Sequence, residues 1–245
     1  HLLDKKKLLE FYKPIWKSKP HITCGTYEEA ECIKIFHNTY ISAKVGLANM
    51  IQDVTQKIGN ANPTVVANSL RHADRIVSQK YMEPGNGDGG PCHPRDNIAL
   101  SWLADRLDLG YDLFGAISHS REQQTKNFAK FIVGICKKEN KYCIINGKAY
   151  KPSVPYTIGS PSVLLGGYIK ELGVDVKYAD PETEDVLEGI QDCVCVMAHD
   201  PQTTYDHTGR SYQQKLYFDL AKGSTVIDPW RCFKDSDYNV IYYGS

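Results

Sequence analysis

The sequence has no excess of charge of either sign, because its 29 Lys and Arg residues balance its 29 Asp and Glu residues. A protein that binds nucleic acid or an anionic membrane surface needs a basic patch or a basic excess. No apolar run approaches the ~20 residues that a membrane-spanning helix requires. We therefore expect neither a nucleic-acid partner nor a membrane partner. The content of 42% apolar and 24% charged residues is typical of a globular protein.

The sequence also lacks the short motifs that bind common cofactors and metals. No G-x-G-x-x-G follows a predicted strand, and no P-loop occurs. Cysteine pairs at C-x-x-C spacing and Cys/His clusters of the zinc type are absent as well. We therefore predict no metal site and no dinucleotide-binding fingerprint.

Cysteine is the exception to these shortages, with eight residues in the chain. Some of them lie in apolar, strand-like runs, where a free cysteine acts as a small hydrophobic residue. We expect free thiols in a reducing compartment, the cytoplasm, rather than a disulfide framework. The eight are Cys24, Cys32, Cys92, Cys136, Cys143, Cys193, Cys195 and Cys232.

The most informative segment is the glycine-rich run from Glu83 to Asp96. Its glycines form a loop that can approach a ligand closely, and a helix pattern opens at Cys92. A helix N-terminus favours negative charge, and the thiolate is the reactive form of cysteine. Asp96 follows one turn later on the same face. The pattern indicates a nucleophile site, and the structural alternative is a buried helix-start cysteine with an aspartate that suits the helix dipole.

Residues 26–138 are predicted to be all helical. Thr26 and Glu29 form a capping box at the start of a long helix, which runs to about Lys57. Apolar residues cover almost all sides of this helix, so it must be buried in a core or between subunits. Lys34 and Asn38 lie one turn apart on it. Without other information, Lys34 would extend to solvent and Asn38 would cap a neighbour.

From Lys141 onward the pattern changes to alternating strands and helices. Strands rich in Val, Ile and Cys between helices predict a parallel sheet that is covered on both faces. We place helices over 161–172, 182–190 and 212–222. Ligands of such sheets bind at the carboxyl ends of the strands. The polar residues predicted at those ends are Lys148, Lys151, Asp180, His199, Asp200 and Asp228.

The glycine-rich run resembles the active-site segment of the nucleotide-sugar 6-dehydrogenases, the UDP-glucose/GDP-mannose dehydrogenase family. That segment reads roughly P-x-x-G-x-G-G-x-C-x-x-[KR]-D. The chain matches it in register at Pro84, Gly87, Gly89, Gly90, Cys92, Arg95 and Asp96. The family also has an [ST]-x-x-x-A-E-x-x-K pattern followed by Asn, which Thr26, Ala30, Glu31, Lys34 and Asn38 match.

Two further segments are similar to nucleotide-sugar-binding segments of the family. The stretch with Arg75, Lys80 and Tyr81 resembles one that binds sugar and phosphate. Lys151 and Ser160 keep the spacing of a segment at the head of the nucleotide-binding domain. The chain departs from the family at Ile158, where Arg is usual, and at Trp230, where Asp228-Pro229-Trp230-Arg231 places its Arg one position late.

The resemblance implies a fold class of α + α/β: a helical dimerisation domain at 26–138, followed by a Rossmann-like nucleotide-sugar-binding domain at 139–245. Residues 1–25 would be the remnant of a missing N-terminal NAD-binding domain. The chain would form a homodimer through the helix that starts at Thr26. As a fragment without its main NAD site, it would be inactive alone.

The resemblance also implies the chemistry. A parent enzyme would oxidise the C6 alcohol of a UDP-sugar of the UDP-glucose type to a carboxylate, reducing two NAD through a thiohemiacetal and a thioester on Cys92. Lys34, Asn38 and Asp96 would be the other catalytic residues, and Arg95 would contact NAD. The implied substrate-binding residues are Arg75, Lys80, Tyr81, Gly85, Gly87, Gly89, Gly90 and Lys151.

Two other classes of protein stay open. One is a non-catalytic nucleotide-sugar-binding or oligomerisation module, which an unreactive Cys92 would favour. The other is a different cysteine-dependent enzyme that handles acyl groups or aldehydes without binding a nucleotide sugar.

Overall fold

A computed structural model describes residues 2–18, 20–72, 84–87, 90–106, 108, 110, 112–199 and 214–244. The chain divides into two compact units, residues 1–36 and 37–245. In the first unit, helix α1 (Leu2–Tyr12) leads into a 3₁₀ turn, Lys13–Ile15. Helix α2 (Tyr27–Ile58) begins in this unit and continues into the second.

The start of α2 confirms the predicted capping box. The backbone N–H of Glu29 donates to Thr26 Oγ1 at 3.2 Å, and the N–H of Thr26 donates to Glu29 Oε2 at 2.7 Å. These bonds satisfy two donors that have no partner inside the helix.

Three more helices follow in the second unit: α3 (Pro63–Arg71), α4 (Cys92–Arg106) and α5 (Leu113–Glu139). Asn62 caps α3, since its side chain accepts the N–H of Thr64 at 2.9 Å. Asp112 caps α5 in the same way, accepting from Gly115 at 2.8 Å. The end of α5 is closed by Asn140, whose left-handed backbone (φ 53°) turns the chain toward the sheet.

The sheet has five parallel strands in the order β2-β1-β3-β4-β5. Helix α6 (Pro161–Glu171) connects β1 to β2. β1, β3 and β4 are buried along their whole length, as expected for strands covered on both faces. The strands are β1 (Cys143–Asn146), β2 (Val176–Ala179), β3 (Val194–Met197), β4 (Thr225–Asp228) and β5 (Asn239–Tyr242). The predicted α + α/β class is confirmed.

The second half of α5 belongs to the core of the sheet. Phe128 and Ile132 of α5 and Leu165 and Ile169 of α6 pack on one face of the sheet, and all four are completely buried. On the other face, Met197 of β3 packs in a cluster with Phe218 and Phe233. The helical segment and the sheet therefore share one core along α5, although the sequence pattern changes at Lys141.

Two predicted helices are wrong. Residues 182–190 contain only the end of a 3₁₀ turn, Pro181–Thr183, because Asp180 accepts the N–H of Glu182 and pairs with Asp185 in an isolated bridge. The described part of 212–222 is not helical either. Asn146 accepts the N–H of Tyr217 and donates to the carbonyl of Lys215, which holds that segment extended over β1.

No described helix is long and apolar enough to cross a membrane. In the described part of the chain, no cluster of three or more His, Cys, Asp or Glu side chains could hold a metal ion.

Candidate active site

Cys92 is the first residue of α4, at the end of the glycine-rich loop. It is half-buried, and the N–H of the next residue, His93, donates to Gly90 O at 3.2 Å. The described part of the loop before it, Pro84–Gly87, is buried. The thiol therefore lies at a helix N-terminus beside a loop that is fixed in the interior.

Asp96, one turn after Cys92, accepts hydrogen bonds from two other predicted site residues. Asn38 of α2 donates its Nδ2 to Asp96 Oδ2 at 2.7 Å, although 58 residues separate them. Arg95 donates Nε and Nη2 to Asp96 Oδ1 at 3.0 and 2.9 Å. Asp96 is only 5% exposed, so these bonds compensate a carboxylate that is withdrawn from water.

Arg95 extends to the surface, with a side chain that is 62% exposed. Its pKa is raised, first by the hydrogen bonds to Asp96, then by the charge of Asp96, and then by Cys92. The guanidinium therefore stays charged and lies close enough to interact with both site residues. This position suits a contact with a bound anionic group.

Five predicted site residues cannot be placed in this cluster. Lys34 is exposed on the part of α2 that belongs to the first unit, so its role at the site stays a prediction. The others, Arg75, Lys80, Tyr81 and Gly89, lie outside the described residues, and the same holds for Asp200, which the sequence predicts at the end of a strand.

The other three predicted glycines lie against rings of the sheet segment. A Cβ atom on Gly85 would overlap the indole of Trp230, and one on Gly87 (φ 82°) would overlap the Pro161 ring. A Cβ on Gly90 would lie 3.1 Å from the Tyr150 ring. Glycine is required here for close approach, but the groups that approach are side chains of this protein. Binding of a substrate by these glycines stays a prediction.

Polar residues of α2 that the sequence reasoning missed hold the loop from the other side. Asn49 accepts the N–H of Gly85 and donates to Gly87 O. Ser42 Oγ lies 2.9 Å from Nδ1 of His93, the residue after Cys92. The spacing of Asn38, Ser42 and Asn49 (four and then seven residues) places them on one face of α2, and this was the signal available in the sequence.

At the nucleotide end of the predicted site, Lys151 is half-buried, with its Nζ 5.3 Å from the centre of the Tyr150 ring. Ser160 caps α6 by accepting the N–H of Ser162 at 3.2 Å, and it donates to Lys148 O at 2.7 Å. The Ser160–Pro161 step, which resembles a family motif, therefore starts a helix directly beside the glycine loop. Ile158 is 73% exposed.

Three residues predicted at the carboxyl ends of the strands are used to hold loops. Asp180 accepts from the N–H groups of Lys148 and Ala149 at 2.8 Å each. Asp228 accepts from the N–H groups of residues 230, 232 and 233, and its burial raises its pKa. Burial lowers the pKa of His199, whose Nε2 lies 3.1 Å from Ala149 O. These contacts give all three a structural role.

The cysteines of the sheet differ from Cys92 in their surroundings. Burial raises the pKa of the Cys193 thiol to about 12. The pKa of Cys195 is raised well above its ordinary value, also by burial, and that of Cys143 by its hydrogen bond with Cys136 and by burial. These thiols stay protonated in the core. Cys92, in contrast, is followed in α4 by the charged pair of Arg95 and Asp96.

Residues 28–123 match the sequence profile of the UDP-glucose/GDP-mannose dehydrogenase family, central domain. They include Cys92, Asn38, Asp96 and the loop between them. The predicted resemblance to the nucleotide-sugar dehydrogenases is confirmed.

Curated relatives extend the similarity into the sheet segment. The chain is 27% identical over 239 residues to the UDP-glucose 6-dehydrogenase of Rhizobium meliloti (strain 1021), which covers 95% of this chain and 50% of that protein. It is 27% identical over 159 residues to the GDP-mannose 6-dehydrogenase of Pseudomonas aeruginosa, covering 65% of this chain and 36% of that protein. The chain thus spans at most about half the length of these relatives.

Solved structures agree on the fold. A UDP-glucose dehydrogenase from Pyrobaculum islandicum superposes with a TM-score of 0.72 at 19% identity, covering 100% of this chain and 56% of that one. The UDP-D-ManNAc dehydrogenase from Pyrococcus horikoshii gives 0.69 at 22% identity, covering 98% and 57%. At these identities the likeness establishes the fold.

Proposed function

We propose that the chain is the central and C-terminal part of an NAD-dependent nucleotide-sugar dehydrogenase that oxidises the C6 alcohol of a UDP-sugar of the UDP-glucose type to a carboxylate. The observation that carries this proposal is the cluster of Asn38, Asp96 and Arg95, in which Arg95 and Asp96 follow Cys92 within about one turn of α4. The cluster lies within the residues that match the family's central domain.

Cys92 holds the intermediate between the two oxidations. After the alcohol has become an aldehyde, Cys92 Sγ bonds to the aldehyde carbon, and the thiol hydrogen is transferred to the carbonyl oxygen as the thiohemiacetal forms. Loss of a second hydride from that carbon and of the hydroxyl proton leaves a thioester. Water then attacks the thioester carbon, which releases the carboxylic acid and restores the thiol.

Asp96 and Asn38 serve the hydrolysis. Asp96 is within one turn of Cys92 and accepts the proton of the attacking water. Asn38 Nδ2 holds Asp96 in place and, with Lys34 of the same helix, stabilises the oxyanion of each tetrahedral state. In this proposal Arg95 orients Asp96 through its two hydrogen bonds to Oδ1.

NAD would supply the hydride acceptor, one molecule for each of the two oxidations. Of the described residues near Cys92, the exposed guanidinium of Arg95 is the group that fits a contact with it. The loop after β1, Gly147-Lys148-Ala149, does not have the G-x-G-x-x-G pattern, so the sheet of this chain is assigned to the nucleotide sugar. Lys151 and the glycines of the loop would bind that substrate, together with Arg75, Lys80 and Tyr81.

A homodimer through α2 is part of the proposal, as is a cytoplasmic location. The helix exposes large apolar side chains that a monomer would leave in water, among them Tyr40 (58% exposed) and Leu47 (44% exposed). Sedimentation of the chain should give the mass of a dimer, and a monomer at micromolar concentration would contradict this part.

The second candidate is a non-catalytic module that binds a nucleotide sugar. The contacts of Trp230 and Pro161 with the glycine loop favour it, because they fill space beside Gly85 and Gly87. The exposed Ile158, where the family usually has Arg, favours it as well.

Isothermal titration with UDP-glucose, UDP-N-acetylmannosamine and GDP-mannose tests the substrate class. We expect UDP-glucose to bind, and Lys151→Ala to weaken binding by about tenfold, as loss of a charge-assisted hydrogen bond would. Lys170→Ala at the far end of α6 is the matched control and should bind as the wild type does. Equal loss in both variants, or binding of GDP-mannose alone, would contradict the proposed substrate.

Turnover by the full-length protein separates the two candidate functions. Cys92→Ser should stop at or before the second oxidation, whereas four-electron oxidation by this variant would exclude the covalent mechanism. Absence of any turnover in the wild type, with UDP-glucose bound, would favour the non-catalytic module.

A further inference from the structure

Asn49 is a buried carboxamide that is bonded at both ends to the glycine loop. Its Oδ1 accepts the N–H of Gly85 at 2.9 Å, and its Nδ2 donates to Gly87 O at 2.7 Å. Only 4% of the residue is exposed. The two contacts fix the orientation of the amide, because a backbone N–H requires the oxygen and a backbone carbonyl requires the nitrogen.

Asn49 attaches the backbone of residues 84–87 to α2. In the described part of the chain, the backbone of residues 84–87 makes no hydrogen bond to another backbone group. On the opposite side, Gly85 and Gly87 meet the rings of Trp230 and Pro161, which restrict the loop without bonding it. Asn49 therefore determines where the backbone of this segment lies between α2 and the sheet segment.

We propose that Asn49 is a positioning residue for Cys92, which lies five residues after Gly87 in the chain. By fixing the peptides of Gly85 and Gly87, the carboxamide sets the position of the loop beside the thiol. This inference deepens the proposed function and rests on it for the catalytic role of Cys92. The positioning itself can be measured without substrate.

Gln52 provides a matched control on the same helix. It is also a carboxamide and is completely buried, but its Cγ lies beneath Gly244, 2.7 Å from the position a Cβ would occupy there. Replacing either residue by Leu removes a buried amide from α2, and only the change at position 49 removes bonds to the glycine loop. A general loss of packing should therefore affect both variants alike.

The test measures the rate at which iodoacetamide alkylates each cysteine of the 245-residue chain across pH, followed by peptide mass spectrometry. We expect Asn49→Leu to raise the alkylation rate of Cys92 by about tenfold, because a loop released from Asn49 opens locally and exposes the half-buried thiol. Gln52→Leu should leave that rate unchanged. Asn49→Asp keeps the acceptor for Gly85 but loses the donor to Gly87, so its rate should lie between.

The buried Cys143 and Cys195 report unfolding in the same samples. If Cys143 and Cys195 become labelled in Asn49→Leu, that variant has unfolded. The alkylation rate of Cys92 in Asn49→Asp is then compared with the wild-type rate instead. The proposal is overturned if Cys92 of the deciding variant is alkylated at the wild-type rate and with the wild-type pH profile. It is also overturned if Gln52→Leu changes the alkylation rate of Cys92 by the same factor as that variant. Protection of Cys92 by UDP-glucose in the wild type is scored separately, so failure of the proposed function and failure of the positioning role are distinguishable.

Discussion

At the scale of single residues, the site depends on small groups that allow close approach. Gly85 has no side chain, and the Trp230 indole occupies the place where a Cβ would be. Asn38 and Asn49 each place a carboxamide where a carboxylate or a peptide group needs a partner. Each role follows from the size or the bonding capacity of one residue.

Gly85→Ala should lower the free energy of unfolding by about 1–3 kcal/mol, because the added methyl overlaps the half-buried Trp230 ring. Gly134→Ala in α5 is the control: nothing lies within 4 Å of its added Cβ. Alanine in that helix should raise stability by about 0.5–1 kcal/mol. Urea unfolding of the two variants checks this, and a stable Gly85→Ala would show that the indole does not pack on the loop.

At the scale of elements, α2 and α5 support the loop between them. Their facing residues line a small cavity of about 20 Å³, which includes Ser42, Asn49, Gly87 and Gln124. Gln124 is 7% exposed, and neither of its amide atoms has a hydrogen-bond partner among the described residues. A buried polar group without a partner lowers stability.

Gln124→Met should therefore raise the free energy of unfolding by about 1–3 kcal/mol, since it removes two unsatisfied polar atoms at similar volume. The exposed neighbour Gln123→Met is the control and should change stability by less than about 0.5 kcal/mol. Thermal and urea unfolding provide the measurement. A loss of stability in Gln124→Met would mean that the amide has a hydrogen-bond partner. The cavity is large enough to hold one water molecule, which would be that partner.

Sequence reasoning succeeded where a local signal decided the structure. The capping box at Thr26 and Glu29 located the start of α2, and the alternation of strand and helix patterns after Lys141 predicted the parallel sheet. It failed at 182–190 and 212–222, where Asp180 and Asn146 take up backbone groups that a helix would need. It also missed Asn49, because the partners of a buried amide depend on a loop 36 residues away.

At the scale of the whole molecule, the helical segment and the sheet are joined through a shared core and through the glycine loop. The second half of α5 packs on the sheet, and the loop contacts both α2 and the rings at the sheet edge. His199 lies at that edge, with its Nδ1 3.2 Å from the Tyr217 hydroxyl and its Nε2 3.1 Å from Ala149 O. The stability of this region therefore depends on a neutral imidazole.

The buried His199 should make stability depend on pH. Its pKa in the folded state is lowered below the ordinary 6.5, chiefly by burial. The unfolded chain therefore binds a proton more readily, and the contribution of His199 is complete above pH 6.5 and is lost as pH falls from there toward the lowered pKa. The free energy of unfolding, measured between pH 5 and pH 8, should decrease below about pH 6.5.

His199→Gln should reduce that decrease, whereas replacement of the exposed His119 by Gln should leave it unchanged. A wild-type profile that is flat between pH 5 and pH 6.5, or one that keeps its slope in His199→Gln, would contradict the assignment of a neutral, buried imidazole.

The central claim, that Cys92 is the nucleophile of a nucleotide-sugar site, is tested most directly by protection of its thiol. Alkylation of Cys92 and of the exposed Cys232 should be followed in the same samples with and without UDP-glucose. We predict that saturating UDP-glucose slows the alkylation of Cys92 by about tenfold or more and leaves Cys232 unchanged. Equal rates at Cys92 with and without bound UDP-glucose would contradict the account.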